Sequence, residues 1–356
     1  MNTNKKLKTI RVHSCNSWLI SFSFAINFMK AVYIREFGGA ENLEIREVED
    51  LPKPREKEVL VRVKTSALNR ADILQRNGFY PAPKGFPERI LGLEFAGEVA
   101  EIGEDAGNFK IGDRVFGITA GGAQAEFLLT DESLLAGIPA NLNFIEAATI
   151  PEAFITAHDA IFTQGNLQTG ETLLIHAVGS GVGLAALQLA KAKNIKVFGT
   201  SRTKDKLEKC REFGLDEAIS TGENTNFAET INEKTDGRGV DVILDLVGAS
   251  FFSENLESLA LKGRLILVGL TGGRTAEFNL GMALAKRAKI IGTVLRSRPT
   301  VEKAEATAKF AKEVLLLIEE RKIKPNLDKV FPIEEIKEAH KYLESNQSFG
   351  KVVLEF

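Results

Sequence analysis

Apolar and polar positions change rhythm once along this chain, near residue 150. From Lys30 to about Ile150 the segments "KAVYIREF", "LEIREVE", "EVLVRVKTSAL", "AGEVAEIG" and "AEFLLT" are short and alternating, with Gly, Pro and Asp between them. That texture predicts a compact, mostly antiparallel, barrel-like domain. From Pro151 onward the strand-like runs "TLLIHA", "KVFGTS", "VDVILDLVG", "GRLILVGL" and "KIIGTVL" alternate with helical segments such as "LAALQLAKAK" and "KDKLEKCREFG". Strands alternating with helices of this length predict right-handed crossovers and a parallel, doubly wound α/β sheet. The tail carries a long helix, "VEKAEATAKFAKEVLLLIEERK", then "IEEIKEAHKYLESN" and a closing strand "KVVLEF". A strand after the series has ended predicts a return to the first domain. The expected organisation is therefore 29–150 with 300–356 as one domain and 151–299 as the other.

Composition narrows the class. A chain of 356 residues is too long for one ordinary core, which agrees with two domains. With 44% apolar and 26% charged residues it reads as a soluble globular protein. The formal charge is −2, and the first 28 residues hold Lys5, Lys6, Lys8 and Arg11 with no acid, which leaves −6 for the rest. Such a body offers no electrostatic footprint for nucleic acid. The basic start and the following "WLISFSFAINF" resemble a signal peptide, but serines interrupt the run and no small-x-small site follows. The stretch is too short and broken to span a bilayer. Residues 1–28 are expected to be a disordered or dispensable extension, the body starting afresh at Met29. Two cysteines, Cys15 and Cys210, with no Cys-x-x-Cys, point to a reducing compartment and hence the cytoplasm.

Between "TLLIHA" and its helix lies "VGSGVG". Each small residue there weakens a regular element, so closeness must be what they provide. Backbone N–H groups at a helix start are unpaired and partly positive, and they hold phosphate well. Gly179, Ser180, Gly181 and Gly183 would let a pyrophosphate approach the main chain. The spacing is not G-x-G-x-x-G, because Val178 and Ser180 stand where its first two glycines would fall; a tight turn with no ligand is the plain alternative. At the end of the next strand, NAD-binding folds place an acid for the ribose 2′-hydroxyl. Here Ser201, Arg202 and Thr203 stand there instead, with Lys206 one helical turn on. Guanidinium, ammonium and hydroxyl suit the 2′-phosphate of NADP.

These residues resemble the medium-chain dehydrogenase/reductase superfamily, a GroES-like barrel joined to a Rossmann domain. The resemblance spans Met29 to Phe356 and is most specific at "ALNRADILQRNGFYP" (67–81), "LGLEFAGEVAEIG" (91–103), "AATIPEAFITA" (147–157), "HAVGSGVG" (176–183), "VLRSR" (294–298) and "EAHKYLESN…GKVVLE" (338–355). Together they are similar to the zeta-crystallin type of quinone oxidoreductase, and most similar to its tumour-suppressor-inducible branch. Val178 and Arg202 depart from that branch's usual small residues. Alcohol-dehydrogenase relatives hold zinc through Cys, a Gly-His-Glu stretch and a second Cys. The corresponding segments here read "LNRAD" and "GLE", with Asn69 and Leu93 at the ligand positions, so no tetrahedral site is expected. The four histidines (His13, His158, His176, His340) are scattered and read as structural.

The resemblance implies NADP(H) as cofactor and places Asn69, Asp72 and Tyr80 on the substrate side. Tyr80 and Asn69 would serve as donors or stacking partners and Asp72 as a proton relay, though Asn69 and Asp72 could equally cap the short helix that follows. It also carries over cofactor contacts at Thr156, Gly179, Ser180, Gly181, Val182, Ser201, Arg202, Lys206, Gly269, Leu270, Leu295 and Lys351. Quinone reduction needs no Lewis acid, since the acceptor is already electrophilic; holding the nicotinamide against a flat substrate is the main task. The expected function is an NADPH-dependent quinone oxidoreductase. An enone or 2-enoyl reductase and a non-catalytic NADPH-binding protein are the alternatives. The expected partners are a small quinone or enone and a second copy of the chain, the homodimer pairing through 263–295, with no nucleic acid and no membrane.

Overall fold

In the computed structural model, which describes residues 6–7, 25–26, 28–222 and 226–356, the two rhythms become two sheet systems. The expected extension over 1–28, with Cys15 and His13, falls almost wholly outside the described residues; within it β1 (Lys6–Leu7) pairs antiparallel with β2 (Ala25–Ile26). β3 (Phe28–Ile34) and β4 (Leu43–Glu49) form an antiparallel pair. β5 (Glu58–Ala67) leads to the short helix α1 (Arg70–Arg76), and β6 (Glu94–Ile102), β7 (Arg114–Ile118), β8 (Phe127–Asp131) and β9 (Leu135–Gly137) complete the barrel-like part. Alternation along β5 turns Val59, Val61 and Val63 onto Phe95, Val99, Val115 and Leu135, which makes one core face.

α2 (Phe144–Ala147) and α3 (Pro151–His158), continued by a π-helical turn over Asp159–Gln164, lead into the parallel sheet. There β10 (Thr172–Ile175), α4 (Gly181–Ala192), β11 (Lys196–Ser201), α5 (Lys204–Arg211), β12 (Glu217–Ser220), α6 (Phe227–Lys234), β13 (Val240–Asp245), α7 (Phe252–Ser258), β14 (Leu259–Leu267), α8 (Leu280–Lys286) and β15 (Lys289–Gly292) follow in turn. The strand order is β12-β11-β10-β13-β14-β15, all parallel. The order reverses between β10 and β13, and ligands of open α/β sheets bind outside the carboxyl ends at that point. The central strands are buried along nearly their whole length and mostly apolar, as "TLLI" and "VDVILD" read, because helices cover both faces.

The tail runs through α9 (Thr300–Glu319), β16 (Leu327–Pro332), α10 (Ile336–Glu344) and β17 (Lys351–Glu355). β17 pairs antiparallel with β5, setting Val353 opposite Ala67 and Leu354 opposite Ser66. The chain thus returns to the first sheet, whose order is β16-β17-β5-β6-β7-β9 with β8 also on β5. Among the described strands β7, β9, β12 and β16, with the two-residue β1 and β2, have no counterpart among the strands expected from the pattern. "EAIS" has too few apolar positions to alternate, and "LDKVFP" is a charged edge strand. One core crosses both halves, from Phe116 through Phe154 and Ile155 to Leu173, Leu184, Phe310 and Val353.

Candidate active site

At the end of β10 the chain turns tightly, Ala177 taking a φ of 49° and Ser180 N donating to Ala177 O at 2.9 Å. Ser180 caps α4, its hydroxyl accepting from Gly183 N at 3.1 Å. The N–H groups of Gly181 and Val182 remain in the first turn without an intrahelical partner. A Cβ on Gly183 would stand 2.6 Å from Ala177 O and 2.7 Å from Val178 O, so only glycine lets α4 start this close to the turn. Ser201 lies buried where β11 ends and Arg202 is exposed beside it. Lys206, on α5, turns toward the tail and donates to Asn346 O and Ser348 O at 2.6 and 2.7 Å. Gly269 and the exposed Leu270 follow β14, and Leu295 follows β15. All these positions cluster at the carboxyl ends of the parallel strands.

The return of the tail supplies the opposite wall. Gly350 crosses the small-residue turn, its N–H donating to Gly179 O at 3.2 Å. Its φ is +101° and a Cβ there would stand 2.2 Å from Asn326 O, so this crossing also requires glycine. Lys351 comes next and passes its ammonium into the barrel. Nζ donates to Leu68 O at 2.8 Å and Asn69 Oδ1 at 2.7 Å, and sits 2.5 Å from Glu94 Oε1. Asn69 Nδ2 donates to the same Glu94 oxygen at 2.9 Å, and Glu152 N donates to Glu94 Oε2 at 2.8 Å. Asn69 and Asp72 form a capping box on α1, Asn69 N donating to Asp72 Oδ2 at 2.7 Å. Gly92 N donates to the other Asp72 oxygen, Oδ1, at 3.0 Å. Burial pushes Asp72 up to about 6 against these bonds.

Tyr80 lines the cleft with its ring under the Arg296 guanidinium, 4.8 Å from the ring centre. Arg296 is held by Ala120 O, Tyr80 O and Gln75 Oε1. The Tyr80 hydroxyl makes no hydrogen bond among the described residues, and neither does the carboxyl of Glu152. Burial, then the neighbouring Glu94 charge, pushes Glu152 up to about 8 against the pull of Lys351, which favours its protonated form. Lys303 is buried with its ammonium 5.3 Å from the centre of the Phe86 ring and no ion pair; burial lowers its pKa while Glu152 raises it. Glu94, Glu152 and Lys303 were absent from the residues singled out in the sequence. Their spacing carries no local signal; what marks them is a buried ion pair for Glu94, and for Glu152 and Lys303 a desolvated charge with no ion pair among the described residues.

His176 closes the floor between β10 and β13. Asn255 Nδ2 donates to Asp245 at 2.9 Å, so Asn255 Oδ1 accepts from His176 Nε2. Nδ1 then accepts from Thr200 Oγ1 at 2.9 Å, and burial keeps the ring neutral. His158 and His340 lie elsewhere, beside Glu313 and Arg76 respectively. Among the described residues no three His, Cys, Asp or Glu side chains converge as a metal-ligand set. Leu93 and Asn69 offer no thiolate or imidazole, and Glu94 is already bound by Lys351 and Asn69, so these residues do not fit a zinc ion. They do fit a dinucleotide. The first-turn N–H groups of α4 suit a pyrophosphate, and Thr156 Oγ1 on α3 is buried with no hydrogen-bond partner.

The family model described as the alcohol dehydrogenase GroES-like domain matches residues 55–140, and the one described as zinc-binding dehydrogenase matches 181–311. Human quinone oxidoreductase is 31% identical over 328 residues, 92% of this chain and 97% of that one. Among solved structures, Escherichia coli quinone oxidoreductase complexed with NADPH is similar with a TM-score of 0.83 at 29% identity, covering 92% of this chain and 100% of that one. The JamJ enoyl reductase in its apo form gives 0.82 at 30% identity, with coverages of 92% and 99%.

Proposed function

Because the chain belongs to the quinone oxidoreductase family of medium-chain dehydrogenases/reductases, we propose that it is an NADPH-dependent quinone oxidoreductase that works without zinc. One observation carries the reading: on the substrate side the polar groups left without a hydrogen bond among the described residues are the Tyr80 hydroxyl and the Glu152 carboxyl, which burial favours as a hydrogen donor, rather than a ligand set for a metal. Donors are what an oxygen gaining negative charge requires.

NADPH bound at the sheet's carboxyl ends supplies a hydride, and one hydride with one proton converts a quinone to its hydroquinone. The N–H groups of Gly181 and Val182 bind the pyrophosphate, with Gly179 and Ser180 leaving room for it. Ser201, Arg202 and Lys206 take the 2′-phosphate. Gly269, Leu270 and Leu295 wall the crevice, and the free Thr156 hydroxyl orients the nicotinamide end. Tyr80 donates to the substrate oxygen, and Glu152 holds the proton that replenishes it. Asn69 and Asp72 brace this wall: their polar atoms are committed to Lys351, Glu94, Gly92 and the start of α1. Lys351 ties that brace to the glycine-rich turn, a Cβ on Gly181 falling 2.6 Å from Lys351 Cδ.

An NADPH-dependent enone reductase is the second reading, favoured by the same Tyr80 and protonated Glu152, which suit delivery of a proton to an enolate. Steady-state turnover with NADPH and a quinone or an enone separates the two; NADPH binding without turnover of either contradicts both. Residues 29–150 with 300–356 form the substrate domain and 151–299 the cofactor domain in this reading. A homodimer pairs across the edge strand β15 in this reading, where Ile290 is exposed, as are Leu280 and Leu284 on α8 and Val294 after β15. No described helix is long and apolar enough to cross a membrane, and two cysteines without a disulfide framework fit a cytoplasmic setting.

A further inference from the structure

Arg70 opens α1, a position where a cation opposes the helix dipole. Its guanidinium donates to Asn346 Oδ1. Lys206, from the parallel-sheet half, donates to the backbone oxygen of the same residue at 2.6 Å. Asn346 takes a left-handed φ of 60°, which Asn tolerates well, and so offers its two oxygens to two cations at once. Arg202, exposed at the end of β11 and four residues before Lys206, adds a further positive charge that acts on both Arg70 and Lys206. Among the described residues none of the three forms an ion pair with a carboxylate. The acids that act on them at longer range are engaged elsewhere: Asp328 accepts from Tyr342, and Glu344 pairs with Arg76. Three like charges from two halves of the molecule, two of them bound to neutral oxygens and none to a carboxylate among the described residues, oppose one another until an anion lies among them.

We propose that Arg70 is a third cationic ligand of the cofactor's 2′-phosphate, beside Arg202 and Lys206, held by the barrel-like half, so that this phosphate ties the two halves of the molecule together. The inference rests on the NADPH reading and adds a residue that neither the glycine-rich turn nor the end of β11 supplies. A 2′-hydroxyl carries no charge to reach across, so NADH engages the parallel-sheet side alone. Discrimination against NADH then comes from closure between the halves as well as from Arg202.

Calorimetric titration of the full chain with 2′,5′-ADP and with 5′-AMP tests it without any turnover. The wild type binds 2′,5′-ADP more tightly than 5′-AMP. Arg70→Ala weakens 2′,5′-ADP binding about tenfold or more, the size of one lost charge-assisted bond, and leaves 5′-AMP unchanged. Arg70→Lys keeps a charge at this position and recovers part of the loss. Unchanged 2′,5′-ADP affinity in Arg70→Ala overturns the proposal, as does an equal loss for both ligands, which marks a structural role. A wild type that binds both nucleotides equally overturns the NADPH reading itself, before any variant is compared.

Discussion

The ammonium of Lys351 lies 2.5 Å from the carboxylate of Glu94, with the two side chains 4% and 0% exposed. One comes from the returning tail and the other from the barrel, so the pair pins β17 into the cleft wall. Two buried charges stabilise little against water when paired, but either one alone is costly. Lys351→Met is expected to lower stability by about 3–5 kcal/mol, and the double variant with Glu94→Leu to recover much of that. Urea denaturation of the two single variants and the double checks it; additive losses would show that the pair is not coupled.

Glu152 predicts a pH dependence with a definite sign. Its folded-state pKa of about 8 lies above the ordinary carboxylate value, so the folded chain binds the proton more tightly than the unfolded one. Stability therefore falls as pH rises from about 4.5 toward 8 and levels off above that. Glu152→Gln should remove this contribution, its melting temperature matching the wild type near pH 4 and exceeding it near pH 8. Melting curves across that range decide, and parallel profiles for the two proteins would show that Glu152 is not protonated in the fold.

Activity should follow the same group. If Glu152 holds the proton that reaches the substrate, kcat/KM for a quinone declines as pH rises through about 8, where the acid form is lost. In Glu152→Gln that limb disappears and the remaining rate is low and flat. A pH–rate profile of the variant that keeps the limb would assign it to another group.

The parallel sheet was legible because apolar runs of strand length recur between amphipathic helices, and the glycine-rich turn because such residues serve neither element. The place of Arg202, directly after β11, was legible because the strand run ends just before it, at Ser201. What stayed hidden is whatever folding brings together from afar. Glu152 and Lys303 read as ordinary charges on two helices until the fold leaves Glu152 half-buried and Lys303 buried, neither with an ion pair among the described residues. Arg70 and Lys206 meet only through Asn346, which the tail delivers. β12 was missed for a local reason, having one buried residue in four.

Gly350→Ala tests the tail's path. Its backbone conformation and the oxygen of Asn326 both exclude a Cβ, so a loss of about 1–3 kcal/mol is expected from strain and displacement. Because Gly350 lies on the glycine-rich turn, nucleotide affinity should fall as well. Wild-type stability and affinity in the variant would mean the tail has another way across.

The most direct test of the central claim is the rate of NADPH oxidation by phenanthrenequinone, measured beside NADH and beside Arg202→Ala. The account predicts rapid turnover with NADPH, little with NADH, and a variant impaired by about tenfold or more, chiefly through the KM for NADPH, with kcat nearly kept. Equal turnover with NADH and NADPH would contradict the 2′-phosphate assignment, and no quinone turnover from a chain that still binds NADPH would contradict the proposed reaction.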